Sequence, residues 1–366
     1  MNNSKIVFLL ESISQPRCIK RINSFISHGY DVEIYGIDRG KYNQNAAISG
    51  KNINIIDNQI DGKKHINKFI SNNASIKKII SKYNSKETVF YSFGFALTLS
   101  LKLNGCKNYI YEISDILYGY KKFDLLRPLF VRIDKYFIKN SILTIMTSQG
   151  FADFFFKNKY PDNIIVQPNR LSVFFSDIQR PELNFDLNSK KLRFAYVGAF
   201  RYPNTVFRFA KIIGKFYPQH EFHFYGDSIL TNQIISISES YENVKYFGSF
   251  KNPDDLIPIY NNFDVVVACY DIQSLNERIA EPNKLYEALF FNKPIIVSKN
   301  TFLSKKVEKL NCGYAIDASN DDNIKTFVDS INDKEINEMI KDIFSIKNDE
   351  IIDDDSAEII AFIEKG

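Results

Sequence analysis

The sequence predicts an α/β protein with two Rossmann-like domains. Apolar runs of strand length alternate with amphipathic helical segments, which is typical of a parallel sheet wound by helices. The alternation restarts after residues 167–189, a stretch with two prolines and few periodic apolar residues. A length of 366 residues has room for two domains. We expect domains at 1–170 and 191–350, a linker at 171–190 and a C-terminal helix at 351–366.

The first domain opens with the apolar run 6–10, which is too short for the core of a signal peptide and is assigned to a buried strand. A helix is predicted at Arg17–His28, where apolar residues recur on one face, and Gly29 ends it. The next strand begins at Val32. Further strands are predicted near 53–56, 88–91, 108–113, 142–146 and 163–166. Residues 11–17 contain no G-x-G-x-x-G, which counts against a nicotinamide-binding oxidoreductase.

The second domain repeats this pattern. Its first strand ends at Gly198, and a helix follows from about Thr205. The apolar residues of that helix at helical spacing are Val206, Phe209, Ala210 and Ile213. Further strands are predicted near 221–225, 243–247, 263–269, 294–298 and 313–316.

Composition is that of a protein with ordinary cores. The chain is 45% hydrophobic and 25% charged, and no apolar run reaches the roughly 18 residues of a membrane-spanning helix. Four cysteines are scattered along the chain, which favours free thiols in the cytoplasm over disulfides or zinc ligands. Four histidines occur, and none has metal-ligand spacing.

Charge is distributed unevenly around a net value of +4. Residues 1–180 carry a surplus of about 12 basic residues, and the remainder carries an excess of about 8 acidic ones. A basic half suits a lipid-phosphate surface or a polyanionic acceptor; a coding bias towards Lys, Asn and Ile is the alternative. The basic, aromatic segment Lys121–Lys139 is suited to anionic headgroups, or else it covers the core as a solvated helix. No nucleic-acid-binding motif accompanies it.

Residues 280–297 are the most informative stretch. Pro282 suits the first position of a helix, where its missing N–H costs nothing. Lys284 and Glu287 are neighbours on one side of this helix, and an apolar face occupies the other. The apolar face consists of Leu285, Ala288 and Leu289. A free helix amino terminus with a lysine and a carboxylate, just before a buried strand, predicts an anion site with a hydroxyl-binding group one turn deeper.

This stretch resembles the donor-binding segment of retaining GT-B glycosyltransferases, the large family four and related bacterial capsule and surface-polysaccharide transferases. The resemblance implies two Rossmann-like domains facing a cleft, with the C-terminal helix crossing back to the first domain. In that family the helix amino terminus holds the pyrophosphate of a nucleotide sugar. A second-turn glutamate binds the ribose hydroxyls, a role that falls to Glu287. The other positions assigned to the donor by this resemblance are Glu281, Pro282, Asn283, Lys284 and Leu285.

One position departs from the family pattern. Family members have two glutamates separated by seven residues, and this chain has Ile279 where the first would stand. Either Glu281 or Glu277 takes over the sugar contact, or the sugar contacts differ. The expected catalytic set consists of Arg201, Lys284 and Glu281.

Two more donor contacts follow predicted strands, where parallel sheets bind ligands. Gly198 permits close backbone approach, and Arg201 offers a permanently charged fork that the resemblance assigns to the diphosphate. An arginine on a surface loop is the alternative. By the same resemblance, the loop of Phe247 and Gly248 corresponds to the family's loop whose backbone contacts the nucleotide base. The alternative is that Phe247 is a core residue.

Acceptor or cleft contacts are expected from Gln15, Arg17, Asp115 and Tyr270. Three of them have a simpler explanation. Asp115 is equally suited to a helix cap, Arg17 to a solvated charge, and Tyr270 to a buried tyrosine with one hydrogen bond.

No metal site and no cofactor are expected. Asp353–Asp355 lies in a polar terminal segment rather than after a buried strand, as a metal-dependent transferase would require. The charge of the leaving group must then be met by the helix dipole, Arg201 and Lys284.

The expected function is a cytoplasmic glycosyltransferase at the inner face of the cell membrane. It would move a sugar from a nucleotide-diphosphate sugar, with UDP favoured, to a glycan or lipid-linked acceptor of bacterial surface polysaccharide. The resemblance implies retention at the anomeric carbon, assisted by the departing phosphate. One alternative is a nucleotide-sugar 2-epimerase of the same fold, which would convert the donor without an acceptor. The other is a catalytically silent, glycan-binding partner subunit.

Overall fold

The computed structural model describes residues 5–13, 15–38, 53–58, 65–83, 87–157, 159–183 and 187–365. The chain forms two compact units. The first unit consists of Met1–Asn169 together with Asp354–Gly366, and the second consists of Arg170–Asp353. Residues 184–186 of the predicted linker lie outside the described residues.

The first unit contains a seven-stranded parallel sheet with the order β3-β2-β1-β4-β5-β6-β7. Its strands are β1 (Lys5–Leu10), β2 (Asp31–Asp38), β3 (Ile53–Asn58), β4 (Thr88–Phe93), β5 (Tyr109–Ile113), β6 (Leu143–Met146) and β7 (Ile164–Val166). The helices between them are α1 (Pro16–Ser27), α2 (His65–Lys82), α3 (Phe95–Leu103), α4 (Arg127–Asn140) and α5 (Gln149–Phe156).

The second unit contains a six-stranded parallel sheet with the order β10-β9-β8-β11-β12-β13. Its strands are β8 (Arg193–Val197), β9 (Glu221–Tyr225), β10 (Val244–Tyr246), β11 (Val265–Ala268), β12 (Ile295–Ser298) and β13 (Gly313–Ile316). Its helices are α6 (Val206–Phe216), α7 (Thr231–Ser240), α8 (Leu256–Asn261), α9 (Leu275–Ile279), α10 (Asn283–Phe290), α11 (Phe302–Lys309), α12 (Asp321–Ser330), α13 (Asp333–Ser345) and α14 (Asn348–Ile351).

The chain ends within the first unit. Residues 353–356 are not helical, and Asp355 and Ser356 have positive φ angles of 51° and 63°. The last helix, α15 (Ala357–Lys365), therefore begins six residues later than the predicted start at 351. Its isoleucines lie in the same core cluster as Ile6 and Phe8 of β1. These are Ile359, Ile360 and Ile363.

Each sheet reverses its strand order at one point, between β1 and β4 in the first unit and between β8 and β11 in the second. Ligands of such sheets bind outside the carboxyl ends of the strands at this point. In the second unit β8 ends at Val197 and β11 at Ala268, and α10 packs against β11. We therefore expect a ligand site at the segments that follow these two strands and at the start of α10.

The predicted fold class is confirmed. Each of the thirteen strands in the described part of the chain overlaps a run assigned from the sequence. The four cysteines are buried and unpaired, as their spacing predicted. No helix of the described residues combines the length and the apolarity needed to cross a membrane.

Two further local predictions are wrong. Pro282 is not the first helical residue but the N-cap of α10, with φ −83° and ψ 155°. Proline fixes φ alone, so its ψ can take the extended value that a cap residue needs. Lys121–Lys139 is not one helix, because a 3₁₀ turn at Lys121–Phe123 precedes α4.

Candidate functional site

At the carboxyl end of β8, a glycine makes room for a lysine. Gly198 has φ +122°, a conformation that residues with a Cβ rarely adopt. Its amide donates a hydrogen bond to the carbonyl of Tyr225 over 2.8 Å. A Cβ at this position would lie 2.9 Å from Nζ of Lys284. Glycine at position 198 therefore leaves the space beside the Lys284 ammonium open.

Lys284 lies in the first turn of α10 and holds its charge among aromatic rings. Its Nζ is 4.7 Å from the ring centroid of Tyr196 and 5.8 Å from that of Tyr270. Within the described residues it forms no salt bridge. Burial lowers the pKa of Lys284 to about 8, and the Glu287 carboxylate opposes this shift. The site thus contains a cation that no ion pair balances among these residues.

The amino end of α10 adds positive potential at the same place. No side chain caps this helix, so the backbone N–H groups of Asn283 and Lys284 have no side-chain acceptor at the cap. Asn283 is exposed and Pro282 half-buried, whereas Leu285 belongs to the core. The helix dipole and the lysine together favour an anion here.

Glu287 follows one turn deeper in α10 and is only 5% exposed. The hydroxyl of Tyr260 donates a hydrogen bond to its Oε2 over 2.6 Å. Burial raises the pKa of Glu287, against the effects of the Lys284 charge and the Tyr260 hydrogen bond. The sequence placed this carboxylate on a polar helix side. That side is instead covered, since every residue from Leu285 to Phe290 is buried.

The carboxyl end of α10 is fixed by Arg180, which lies in the predicted linker. Its guanidinium donates to the carbonyls of Leu289 over 2.8 Å and Ile346 over 2.7 Å, and to Oδ1 of Asn292 over 2.8 Å. A cation at a helix carboxyl terminus stabilises the helix dipole. Arg180 therefore holds α10 in place from the end opposite to Lys284.

Arg201 lies in the loop after β8 and is exposed. Its charge contributes to the lowered pKa of Lys284, which places the two cations within electrostatic reach of each other. The next residue, Tyr202, stacks on Tyr270 with ring centroids 4.3 Å apart and planes at 18°. Tyr270 therefore contacts Lys284 and also stacks on Tyr202, the residue that follows Arg201.

Phe247 follows β10 and is 47% exposed, so it is not the core residue of the alternative explanation. Its ring stacks on Tyr225 at 4.6 Å and 8°. The amide of Gly226 donates to the carbonyl of Gly248 over 2.7 Å, and a Cβ on Gly226 would lie 2.2 Å from the carbonyl oxygen of Gly198. The loops after β8, β9 and β10 therefore pack closely at Gly226.

Glu281 is bound by Lys306 and Tyr286 rather than by the other residues assigned to the donor. Its carboxylate is buried and accepts hydrogen bonds from Lys306 and from the hydroxyl of Tyr286. This ion pair joins the segment before α10 to α11. Its contacts favour a structural role for Glu281, and its predicted role at the sugar stays a prediction.

In the first unit, the predicted residues lie at the carboxyl edge of the sheet. Gln15 is the N-cap residue of α1, and Asp115 is exposed. Arg17 Nε lies 3.0 Å from Oε1 of the fully buried Glu112. Arg21 Nε lies 3.4 Å from Oε2 of the same carboxylate. The arginine at 17 is therefore an ion-pair partner rather than a solvated charge.

A surface of the first unit combines exposed leucines with cations. Leu125 is 93% exposed, and other large apolar side chains are exposed in the same stretch before and within α4. We call these residues the apolar–basic surface: Leu117, Tyr120, Leu125, Leu126 and Leu129, with Lys121, Lys122, Arg127 and Arg132 between and after them. Beneath it, the buried Asp134 accepts hydrogen bonds from Tyr111 over 2.7 Å and Tyr118 over 2.6 Å.

Several site residues escaped the sequence analysis. Tyr260 gave no signal, because a tyrosine in a short apolar helix is usually core. Gly226 directly follows a strand, as Gly198 does, so its position in the sequence could have indicated a loop at the ligand-binding end of the sheet. Glu112 is a lone carboxylate in an otherwise apolar strand, which is a signal for a buried ion pair. Across the described residues, no group of three or more His, Cys, Asp or Glu side chains is arranged to hold a metal ion.

Comparison with known families identifies the second unit. Residues 178–343 match the family described as Glycosyl transferases group 1, a range that includes the whole of the second-unit site. The second unit therefore contains a domain similar to group 1 glycosyltransferases. The protein is accordingly an enzyme, a glycosyltransferase. No curated protein sequence shows significant similarity to the chain.

Solved structures resemble this glycosyltransferase over its whole length. Anabaena Alr3699/HepE in complex with UDP-glucose has a TM-score of 0.70 at 13% identity, covering 99% of each chain. Sucrose-phosphate synthase from Thermosynechococcus elongatus has a TM-score of 0.69 at 12% identity, covering 99% of this chain and 98% of that one. WaaG, a glycosyltransferase involved in lipopolysaccharide biosynthesis, has a TM-score of 0.65 at 13% identity, covering 98% of each chain. These likenesses show the GT-B fold.

Proposed function

We propose that this glycosyltransferase moves a sugar from a UDP-sugar to a hydroxyl of a glycan or lipid-linked acceptor. One observation carries the proposal. The ammonium of Lys284 lies beside Gly198 at the amino end of α10, with the Glu287 carboxylate one turn deeper. This arrangement matches a diphosphate followed by a ribose, because the cation and the helix dipole attract phosphate and a carboxylate accepts hydrogen bonds from hydroxyls.

The chemistry requires that negative charge be stabilised on the departing diphosphate. We propose that Lys284, Arg201 and the α10 amides supply that stabilisation. A half-buried ammonium interacts more strongly with phosphate than a solvated one, because the local dielectric is lower. We propose that Lys284 and Arg201 are the catalytic cations, that Glu287 binds the ribose, and that the loop of Phe247 and Gly248 meets the base.

The comparisons support the choice of donor. Alr3699/HepE has been solved with UDP as well as with UDP-glucose. We propose that this chain uses the same nucleotide, that it is a retaining enzyme of family four, and that it needs no metal ion. The group 1 match favours transfer over 2-epimerisation of the donor.

A panel of nucleotides tests the donor. Binding to the folded state alone raises stability by about 2.7 kcal/mol at a ligand concentration 100 times Kd. We expect UDP to raise the Tm by several degrees, and GDP and CDP to raise it less. A flat response to all three diphosphates would contradict the proposed function. Conversion of a UDP-sugar to a second UDP-sugar without an acceptor would indicate the epimerase instead.

We further propose that the enzyme acts in the cytoplasm on a surface-polysaccharide precursor and contacts an anionic membrane. The apolar–basic surface supports this. Its leucines offer apolar area to the acyl boundary, and Lys121, Lys122 and Arg132 attract anionic headgroups, whereas Arg127 is ion-paired with Asp124. WaaG, a structural relative, is involved in lipopolysaccharide biosynthesis. The basic first half of the chain agrees with such a partner.

Flotation with vesicles tests the membrane contact. We expect binding to vesicles containing phosphatidylglycerol and little binding to pure phosphatidylcholine. Burial of one leucine contributes about 1.5–3 kcal/mol, so the double variant Leu125→Ser and Leu126→Ser should lower the partition coefficient by roughly tenfold or more. Ile229→Ser is the matched control, since Ile229 is 95% exposed in the second unit. Equal flotation of the double variant and the wild type would refute membrane contact through this surface.

A further inference from the structure

Tyr260 is a buried side chain that none of the roles described above uses. It lies in α8 and is fully buried. Its ring stacks on Phe291 at 4.6 Å and 19°, and lies 5.0 Å from the ring of Phe263. These contacts fix the ring, and therefore fix the direction in which its hydroxyl points.

That hydroxyl meets the Glu287 carboxylate and no other group in the described part of the chain. The hydrogen bond to Oε2 is 2.6 Å long. No described residue donates a hydrogen bond to Oε1 of Glu287. One carboxylate oxygen is thus held by the protein, and the other remains an acceptor for a ligand.

We propose that Tyr260 is the positioning residue that orients Glu287 towards the adjacent hydroxyls of the donor ribose. This inference rests on the proposed function and deepens it. A carboxylate that rotates freely would lose side-chain entropy on binding a diol. Tyr260 sets its orientation in advance, so the site discriminates ribose from 2′-deoxyribose more strongly than Glu287 alone would.

The Tyr260 hydroxyl also affects the pKa of Glu287. Burial raises the pKa of Glu287, and the Tyr260 hydrogen bond acts against that rise. An ionised carboxylate accepts hydrogen bonds from both hydroxyls, whereas a protonated one must use one oxygen as a donor. The tyrosine therefore keeps Glu287 in the form that suits a diol.

Removal of the hydroxyl alone tests the proposal. Tyr260→Phe retains the ring and its stacking. The control is Tyr217→Phe, which removes a tyrosine hydrogen bond to Asp329 of 2.9 Å elsewhere in the second unit. UDP and 2′-deoxy-UDP are titrated calorimetrically into the wild type and both variants. We expect the wild type and Tyr217→Phe to prefer UDP by about tenfold or more, and Tyr260→Phe to prefer it by about threefold or less.

The pH dependence supplies a readout that a purely structural role would not move. Without the hydrogen bond the pKa of Glu287 rises, so the affinity for UDP should fall at a higher pH in Tyr260→Phe than in the wild type when the solution is acidified. An unchanged preference for UDP over 2′-deoxy-UDP in Tyr260→Phe would overturn the inference, as would a wild type that binds both equally. A wild type that binds neither nucleotide would instead overturn the proposed function.

Discussion

At the carboxyl edge of the first sheet two arginines meet a buried carboxylate, whereas at the edge of the second sheet a lysine meets aromatic rings. The strands that flank the point of reversal follow one another in the same order in both sheets. Arg17 and Arg21 are both ion-paired with Glu112. Lys284 lies over Tyr196 and has no salt bridge among the described residues. The same topology therefore contains a buried charge pair in one unit and, in the other, a lysine without a salt bridge among the described residues, which we propose serves a ligand.

This difference agrees with the two substrates of a glycosyltransferase. A diphosphate donor requires a cation that is not already neutralised, and Lys284 of the second unit forms no salt bridge among the described residues. An acceptor hydroxyl is neutral and needs no excess of charge. We therefore propose that the arginines of the first unit position the acceptor site through Glu112, while Gln15 and Asp115 contact the acceptor.

The largest expected effect comes from breaking the charge pair of the first unit. Glu112→Gln removes the carboxylate with which both Arg17 and Arg21 are ion-paired, and loss of one partner of a buried pair costs about 3–5 kcal/mol. Urea unfolding should show this loss in the free energy of unfolding. A change below about 1 kcal/mol would contradict the role assigned to Glu112.

Lys284→Met is the matched variant in the second unit, with a smaller effect on the fold. Burial disfavours the charged form of Lys284, as its pKa of about 8 shows, and methionine preserves much of the apolar stem. We expect a free energy of unfolding within about 1 kcal/mol of the wild type. A loss as large as that of Glu112→Gln would show that Lys284 stabilises the fold rather than serving a ligand.

The sequence was sufficient to predict most of the fold. The thirteen strands could be located because buried parallel strands are continuous apolar runs bounded by glycine, proline and polar residues. The α10 segment could be located because a proline, an apolar face and a following strand occur in order. The start of α15 was missed, since Ile351 and Ile352 continue the apolar pattern while Asp355 and Ser356 adopt positive φ angles.

The site was only partly predictable. Lys284 and Glu287 were found from their spacing, but their burial was not, because it depends on α8 and on the rings of Tyr196 and Tyr270 from other elements. Glu281 was assigned to the donor sugar from the sequence, and its pairing with Lys306 became visible only in three dimensions. Local patterns reveal which residues are neighbours along a helix, whereas partners distant in sequence require the fold.

Calorimetric titration of UDP into the wild type and Lys284→Met, between pH 7 and 9.5, tests the central claim most directly. The phosphate of UDP stays ionised in this range. Lys284 of the enzyme without UDP has a pKa of about 8. The affinity of the wild type for UDP should therefore fall about tenfold between pH 8 and 9.5, as the Lys284 ammonium loses its proton. Lys284→Met should lose about 2–4 kcal/mol of binding at pH 7 and show little pH dependence. Equal affinity of the two proteins at every pH would contradict the account.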